Sequence, residues 1–284
     1  MMKLHQMNRA ALGDIELEYE VRGEGEPVVL IHPGHFASWF MPLLDEPALT
    51  DHYRVLRYHR VSSAGSSHIA GPVSIAQHAA HCRLLMRHLG IERAHVVGHS
   101  SSGNVALQLA LDAPDAVQSL AILEPALFSV PSAETSRRFV GTAVQLYRAD
   151  DKVGAIDTFL RGICGPGYRA VLDQALPGAF DQHVADADTF FGLEMPALQQ
   201  WAFTQDDAKR ILQPTLAVVS TGSLELDPIW GERQQLLLDW LPNVEPFVLS
   251  DATHLLQIEN PRGMAAGLAA FFARHSLSRA SVDD

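Results

Sequence analysis

The segment Ala94-His-Val-Val-Gly-His-Ser-Ser-Ser-Gly103 constrains the fold more than any other part of the chain. Residues 94–98 read as a buried strand and residues 102–111 as a helix, with almost nothing between them. A chain that passes so abruptly from strand to helix must turn sharply at Ser100, and the residues two places before and two places after it then crowd one another. Gly98 and Ser102 are small enough to sit there, whereas a turn centred on Ser101 would put His99 in the crowded position. Strain of this kind, about 1–3 kcal/mol, survives only where the surroundings fix it. A serine-rich helix cap after a buried strand is the plain alternative.

Around this segment, short apolar runs alternate with longer amphipathic ones. Residues 15–21 alternate like an edge strand, while 27–31 form a continuous apolar run, the pattern of a strand buried on both faces. Further strands are expected at 54–58, 119–123, 215–219 and 246–249, and helices at 74–89 and 261–275. This alternation predicts an α/β fold with a mostly parallel central sheet flanked by helices. From residue 129 to 212 the pattern changes to helical stretches at 134–149, 152–164 and 188–203, with no convincing strand. The expected organisation is a core over 1–128, a helical lid over 129–212 and a second core segment over 213–284.

Of the 284 residues, 47% are hydrophobic and 19% charged, a mix that buries a sizeable core. The formal charge, 21 − 33 = −12, repels phosphate backbones and anionic lipid. No nucleic-acid or membrane partner is therefore expected. Cys82 and Cys164 lie far apart and form no CxxC pair, so reduced, buried thiols are expected. The amino-terminal residues show no cleavable signal, and no apolar run approaches a membrane span, which fits a cytoplasmic enzyme. His78, His81 and Cys82 share a helix but lack a carboxylate partner, so no metal is expected there, and no cofactor is expected elsewhere. Oligomeric state is not legible.

Two further segments carry chemistry. A serine attacking a carbonyl needs backbone N–H donors for the oxyanion. One is expected from Ser101, at the start of the helix, where amides are unpaired. The other is expected from the loop after the first buried strand, Val28-Val-Leu-Ile-His-Pro-Gly-His-Phe36. Gly34 is the candidate, since Pro33 has no N–H. His35, Phe36, Trp39 and Phe128 are expected to line the substrate space beside the site. A base for Ser100 must come from far along the chain. Among 14 histidines, His254 alone follows a late strand, in Phe247-Val-Leu-Ser-Asp-Ala-Thr-His254.

The three segments, in this order, resemble the α/β-hydrolase superfamily, specifically its lidded esterase and lipase-like branch. The resemblance spans nearly the whole chain and implies catalysis at the carboxyl ends of the strands, beneath the lid. It implies a serine hydrolase acting on carboxylic esters of small, largely apolar molecules. Carbon–carbon bond, lactone and peracid chemistry use the same apparatus, and a receptor-like binder could share the fold. The resemblance also implies a carboxylate behind His254. In much of the family it follows the strand matching residues 215–219, but here Ser223 stands at the expected aspartate. Asp227 and Glu225 are displaced along that loop. Glu124, ending the strand before, is the position some members use, so three carboxylates remain open. The loop Tyr58-His-Arg-Val-Ser-Ser-Ala-Gly-Ser66 departs from the family pattern and is expected to affect stability or the pocket edge.

Overall fold

The computed structural model describes residues 7–277. Eight strands form one sheet: β1 Asn8–Leu12, β2 Ile15–Arg22, β3 Glu26–Ile31, β4 Tyr53–Tyr58, β5 Ala94–His99, β6 Val117–Leu123, β7 Thr215–Ser220 and β8 Val244–Leu249. Their order across the sheet is β1-β2-β4-β3-β5-β6-β7-β8. The pairings β1–β2 and β2–β4 are antiparallel, and all the others are parallel.

The continuous apolar runs have their reason in two-sided burial. Along β3, Val29 and Ile31 join one core cluster while Val28 and Leu30 join the other. The same division separates Val96 from Val97 on β5, and Ile122 from Leu123 on β6. The helices Ile75–His88 and Ser101–Asp112 pack together over the first face. The former opens with a capping box between Ser74 and Gln77. The helix Pro261–Arg274 covers the second face with Met264, Leu268, Phe271 and Phe272.

Two elements correct the sequence expectation. The strand expected at the edge, now β2, lies one place in, because β1 covers it. The five residues of β1 bury only Ala10, too little for alternation to register. The helix Ile229–Trp240, packed on β7 and β8, also escaped the periodicity reading.

Between β6 and β7 every described element is helical, starting with Ala133–Arg148 and Lys152–Cys164. The run expected over 188–203 is not one helix. A turn at Ala187–Thr189 widens into a π-helical turn at Phe190–Glu194, then resumes as α-helix at Met195–Gln200. Pro196 explains the widening, since it has no N–H to offer the carbonyl four residues back, and its ring crowds that carbonyl. Among the described residues no helix is long and apolar enough to cross a membrane. Cys82 and Cys164 are both free and buried, and burial pushes the Cys82 thiol up to about 12.

The register brings the strand ends level. Ile31 pairs with Gly98, His99 with Leu123, Leu123 with Val218 and Ser220 with Leu249. The loops carrying Gly34, Ser100, Glu124, Ser223 and His254 therefore leave one edge of the sheet together, where open α/β sheets place their sites.

Candidate active site

Ser100 has φ 54° and ψ −124°, a conformation that an L-residue adopts only at a cost. Three backbone hydrogen bonds hold it there. Its N–H donates to the Leu123 carbonyl at 2.8 Å, and its own carbonyl accepts from Gly103 at 2.9 Å and Ala126 at 3.2 Å. The need for a small residue at 98 is severe, because a Cβ there would lie 2.2 Å from the Ser102 carbonyl oxygen. Ser102 is fully buried and its hydroxyl donates to the His32 carbonyl.

His254 and Glu124 meet behind this turn. His254 Nδ1 lies 2.6 Å from Glu124 Oε2, and both side chains are essentially buried. Glu124 itself has φ 42°. Its Oε1 accepts from the Ser220 amide and hydroxyl, each at 2.8 Å, and its Oε2 also accepts from the Ser223 hydroxyl at 3.1 Å. Burial pushes the Glu124 carboxyl up to about 7, against the opposing pull of Ser220, Ser223 and Arg233. Burial, and then the charge of Arg233, hold the His254 imidazole well below the usual histidine range, so it is neutral at rest. The Trp230 ring stacks on it at 4.3 Å. Of the other carboxylates left open by the sequence, Asp227 accepts from the Ile229 amide at 2.9 Å. Glu225 is exposed on the helix Thr221–Leu226.

A second buried carboxylate, Glu194, reaches this region from the π-helical turn. It accepts from Arg60 Nη2 at 2.9 and 2.7 Å, and His35 Nε2 lies 2.8 Å away. Ser101 donates its hydroxyl to Glu194 Oε1 and accepts the Gly34 amide at 2.9 Å. Arg60 Nη2 also donates to the Gly34 carbonyl, and His35 Nδ1 meets Ser63 Oγ. Burial alone would raise the Glu194 carboxyl, but Arg60 and His35 outweigh it and hold it well below the usual carboxylate range. The loop over residues 58–66 thus contributes a buried cation through Arg60, more than a pocket edge.

Ser100, Ser101, Gly34 and His254 line one cavity, with about 60 Å³ of free space. Phe36 and Phe128 also line it. His35 and Trp39 do not. The His35 ring is turned into the Glu194 network, and Trp39 is fully buried with its indole N–H donated to His183 at 3.0 Å. Both carry ring nitrogens that need a partner when buried, and each finds one away from the cavity. Gly34 also differs from expectation: its N–H is engaged by Ser101 Oγ rather than free. Of the insertion aromatics, Phe190 lines the cavity, Phe191 stacks on Tyr147 at 5.2 Å, and Trp201 stacks on Phe203 at 5.7 Å. Sequence reasoning missed Glu194, Arg60, Trp230 and Arg233. The one available signal was Trp230 and Arg233 three apart on an unrecognised helix.

A parallel sheet ending in a strained serine, with a buried histidine–carboxylate pair beside it, defines a class of hydrolytic enzymes, and comparison with known proteins bears on that class. The profile of the α/β hydrolase fold family matches residues 27–151. The RutD protein of Stutzerimonas stutzeri (strain A1501), provisionally named a carbamate hydrolase, is 30% identical over 86% of this chain and 92% of its own length. The acetyltransferase component of the acetoin cleaving system of Cupriavidus necator is 31% identical over 88% of this chain. The chain spans 64% of that protein and 42% of the Azorhizobium caulinodans RutD protein. Among solved structures, the enol-lactonase of Burkholderia xenovorans LB400 superposes with a TM-score of 0.78 at 25% identity, covering 94% of this chain and 100% of the lactonase. The chain belongs to the α/β-hydrolase family.

Proposed function

We propose that this hydrolase cleaves carboxylic esters of small, largely apolar substrates through an acyl-enzyme. Ser100 is the nucleophile, His254 its base, and Glu124 the carboxylate that orients the base. The observation that carries this reading is the 2.6 Å contact between Glu124 and His254 Nδ1, on the cavity that Ser100 also lines. With Nδ1–H donated to Glu124, Nε2 is the acceptor that takes the Ser100 proton as Oγ bonds to the ester carbon. The same proton then leaves with the alcohol. His254 next takes a proton from a water that attacks the acyl carbon and returns it to Ser100 Oγ as the acid departs. The Ser101 amide, first in its helix, donates to the oxyanion. The Gly34 amide becomes the second donor by exchanging Ser101 Oγ for the oxyanion. The serine at 100 sets aside the chemistries that need an aspartate at this turn.

Residues 129–212 act in this reading as the lid. Their Phe190, Met195 and Phe159 form the apolar roof over Ser100. Free space of about 60 Å³ is well below the several hundred Å³ of a typical ligand pocket. These side chains must therefore yield when substrate enters. The likeness to an enol-lactonase at 25% identity favours cyclic esters as a second reading within the same chemistry.

A panel of p-nitrophenyl esters and lactones tests the proposal. Ser100→Ala is expected to lower kcat/KM by about 10³-fold or more, and a fluorophosphonate should label the wild type once, at Ser100. No turnover across the panel together with an unlabelled Ser100 would leave the receptor-like alternative standing.

A further inference from the structure

We propose that Arg233 binds a carboxylate carried by the substrate, so that the site takes an ester or lactone bearing a second, free acid group. This rests on the hydrolase reading and adds to it the charge of the substrate.

Two arginines are buried near the site, and they differ in one respect. Arg60 has its anion, Glu194. Arg233, on the helix Ile229–Trp240, is 6% exposed and has no carboxylate at ion-pair distance among the described residues. Its Nε donates to the Leu127 carbonyl at 2.8 Å, which uses one of five N–H donors. Its two Nη groups have no acceptor among the described residues. The guanidinium carbon lies 5.0 Å from the Trp230 ring and 5.6 Å from the Phe128 ring, and Arg233 lines the cavity that holds Ser100 and His254.

The acids that could neutralise it are committed elsewhere. Glu124 faces His254, Ser220 and Ser223. Asp227 accepts from the Ile229 amide, and Glu232 accepts from the amide and hydroxyl of Ser132 at 2.8 and 2.7 Å. Burial pushes the Arg233 guanidinium down to about 10, against the more distant charges of Glu124, Asp227 and Glu232, none of which makes a direct contact with it. A largely buried cation with unspent donors facing a ring-lined cavity is well placed to meet an opposite charge brought into that cavity. Arg233 is also the one guanidinium or ammonium group among the described residues lining the cavity.

The chemistry of the partner follows from the shape of the fork. Two Nη groups side by side match the two oxygens of a planar carboxylate. The neighbouring Trp230 and Phe128 rings favour a flat group over a tetrahedral one. Phosphate brings a further charge to desolvate into about 60 Å³ of free space, which weighs against it. On a protein of formal charge −12, long-range attraction does nothing for an anion, so selection rests on this local contact.

The test compares p-nitrophenyl hemiglutarate with its neutral methyl ester, using wild type, Arg233→Gln and Arg233→Lys. The readout is the ratio of kcat/KM for the two substrates, in which any effect of Arg233 on His254 or Glu124 cancels. The wild type should prefer the half-ester, and Arg233→Gln should lower the ratio about 30-fold or more. Arg233→Lys should fall between them, keeping charge but losing the fork. An absent preference in the wild type, or an equal loss on both substrates, would overturn the proposal. If no ester is hydrolysed at all, the hydrolase reading fails by itself. Calorimetry with glutarate then reads Arg233 alone: binding lost in Arg233→Gln supports the subsite, and no binding to the wild type overturns it.

Discussion

A hydroxyl at position 223 changes where the negative charge beside His254 has to come from. Ser223 cannot supply a carboxylate, yet its hydroxyl donates to Glu124, as does Ser220. The carboxylate reaches the histidine from the neighbouring strand end, and the hydroxyls of Ser220 and Ser223 solvate it. Glu124→Gln removes the charge while keeping the shape. Wrong-tautomer losses in such triads run to about 10⁴ in kcat, and a fall of that order is expected here. Asp227→Asn should leave kcat within a few fold, since Asp227 only caps the Ile229 amide. Steady-state kinetics on both variants decides between the carboxylates, and the reverse ranking would remove Glu124 from the mechanism. At this scale the sequence was informative where backbone geometry demands a residue type: Gly98, Ser100 and the histidine after the last strand. It was silent on Arg233, because nothing local marks a surface-patterned arginine as one that points inward.

At the scale of elements, the π-helical turn at Phe190–Glu194 does two jobs. It places Phe190 over the cavity and sends Glu194 to Arg60 and Ser101, 93 residues from the latter in sequence. That distance is why the network could not be read beforehand. Helical periodicity locates the buried face of residues 188–203 but assumes an unbroken pitch, and one widened turn rotates everything after it. Strand β1 was lost for the opposite reason, having a single buried side chain to show. Glu194→Ala would strand the Arg60 charge in the interior. Breaking a buried pair from one side costs about 3–5 kcal/mol. In a chain of this size that lowers Tm by on the order of 10 °C. Thermal unfolding measures it, and a shift under about 2 °C would show that the network contributes little.

For the whole molecule, the parallel sheet and its helical layers were legible because a core with two buried faces writes long apolar runs into the strands. Histidine burial is a different matter, since nothing in the sequence separates His95 and His183 from those left in water. Burial holds His32, His78, His99 and His254 well below the ordinary range, and lowers His95 to about 4 and His183 to about 3. The unfolded chain binds these protons first, near pH 6.5, so stability present above that pH is lost as pH falls toward 4 and 3. Each such group contributes a slope of at most about 1.4 kcal/mol per pH unit. Glu124, raised to about 7, acts in the opposite sense between pH 4.5 and 7, as one group against these histidines. Urea midpoints should therefore drop steeply between pH 6.5 and 4, and a flat profile across that window would contradict the neutral state of these rings.

Under the proposed function, the Glu194 carboxylate would also set how molecules come and go. Swinging the helical roof outward would pull that anion from Arg60 and leave both unmatched away from water, at a penalty of several kcal/mol on every cycle. Rotations of Phe190 and Met195 carry no such toll, and they border the space where chemistry would occur. Traffic would then pass through a turnstile of side chains beneath a bolted ceiling, whose width, more than any hinge, would decide which molecules reach the serine.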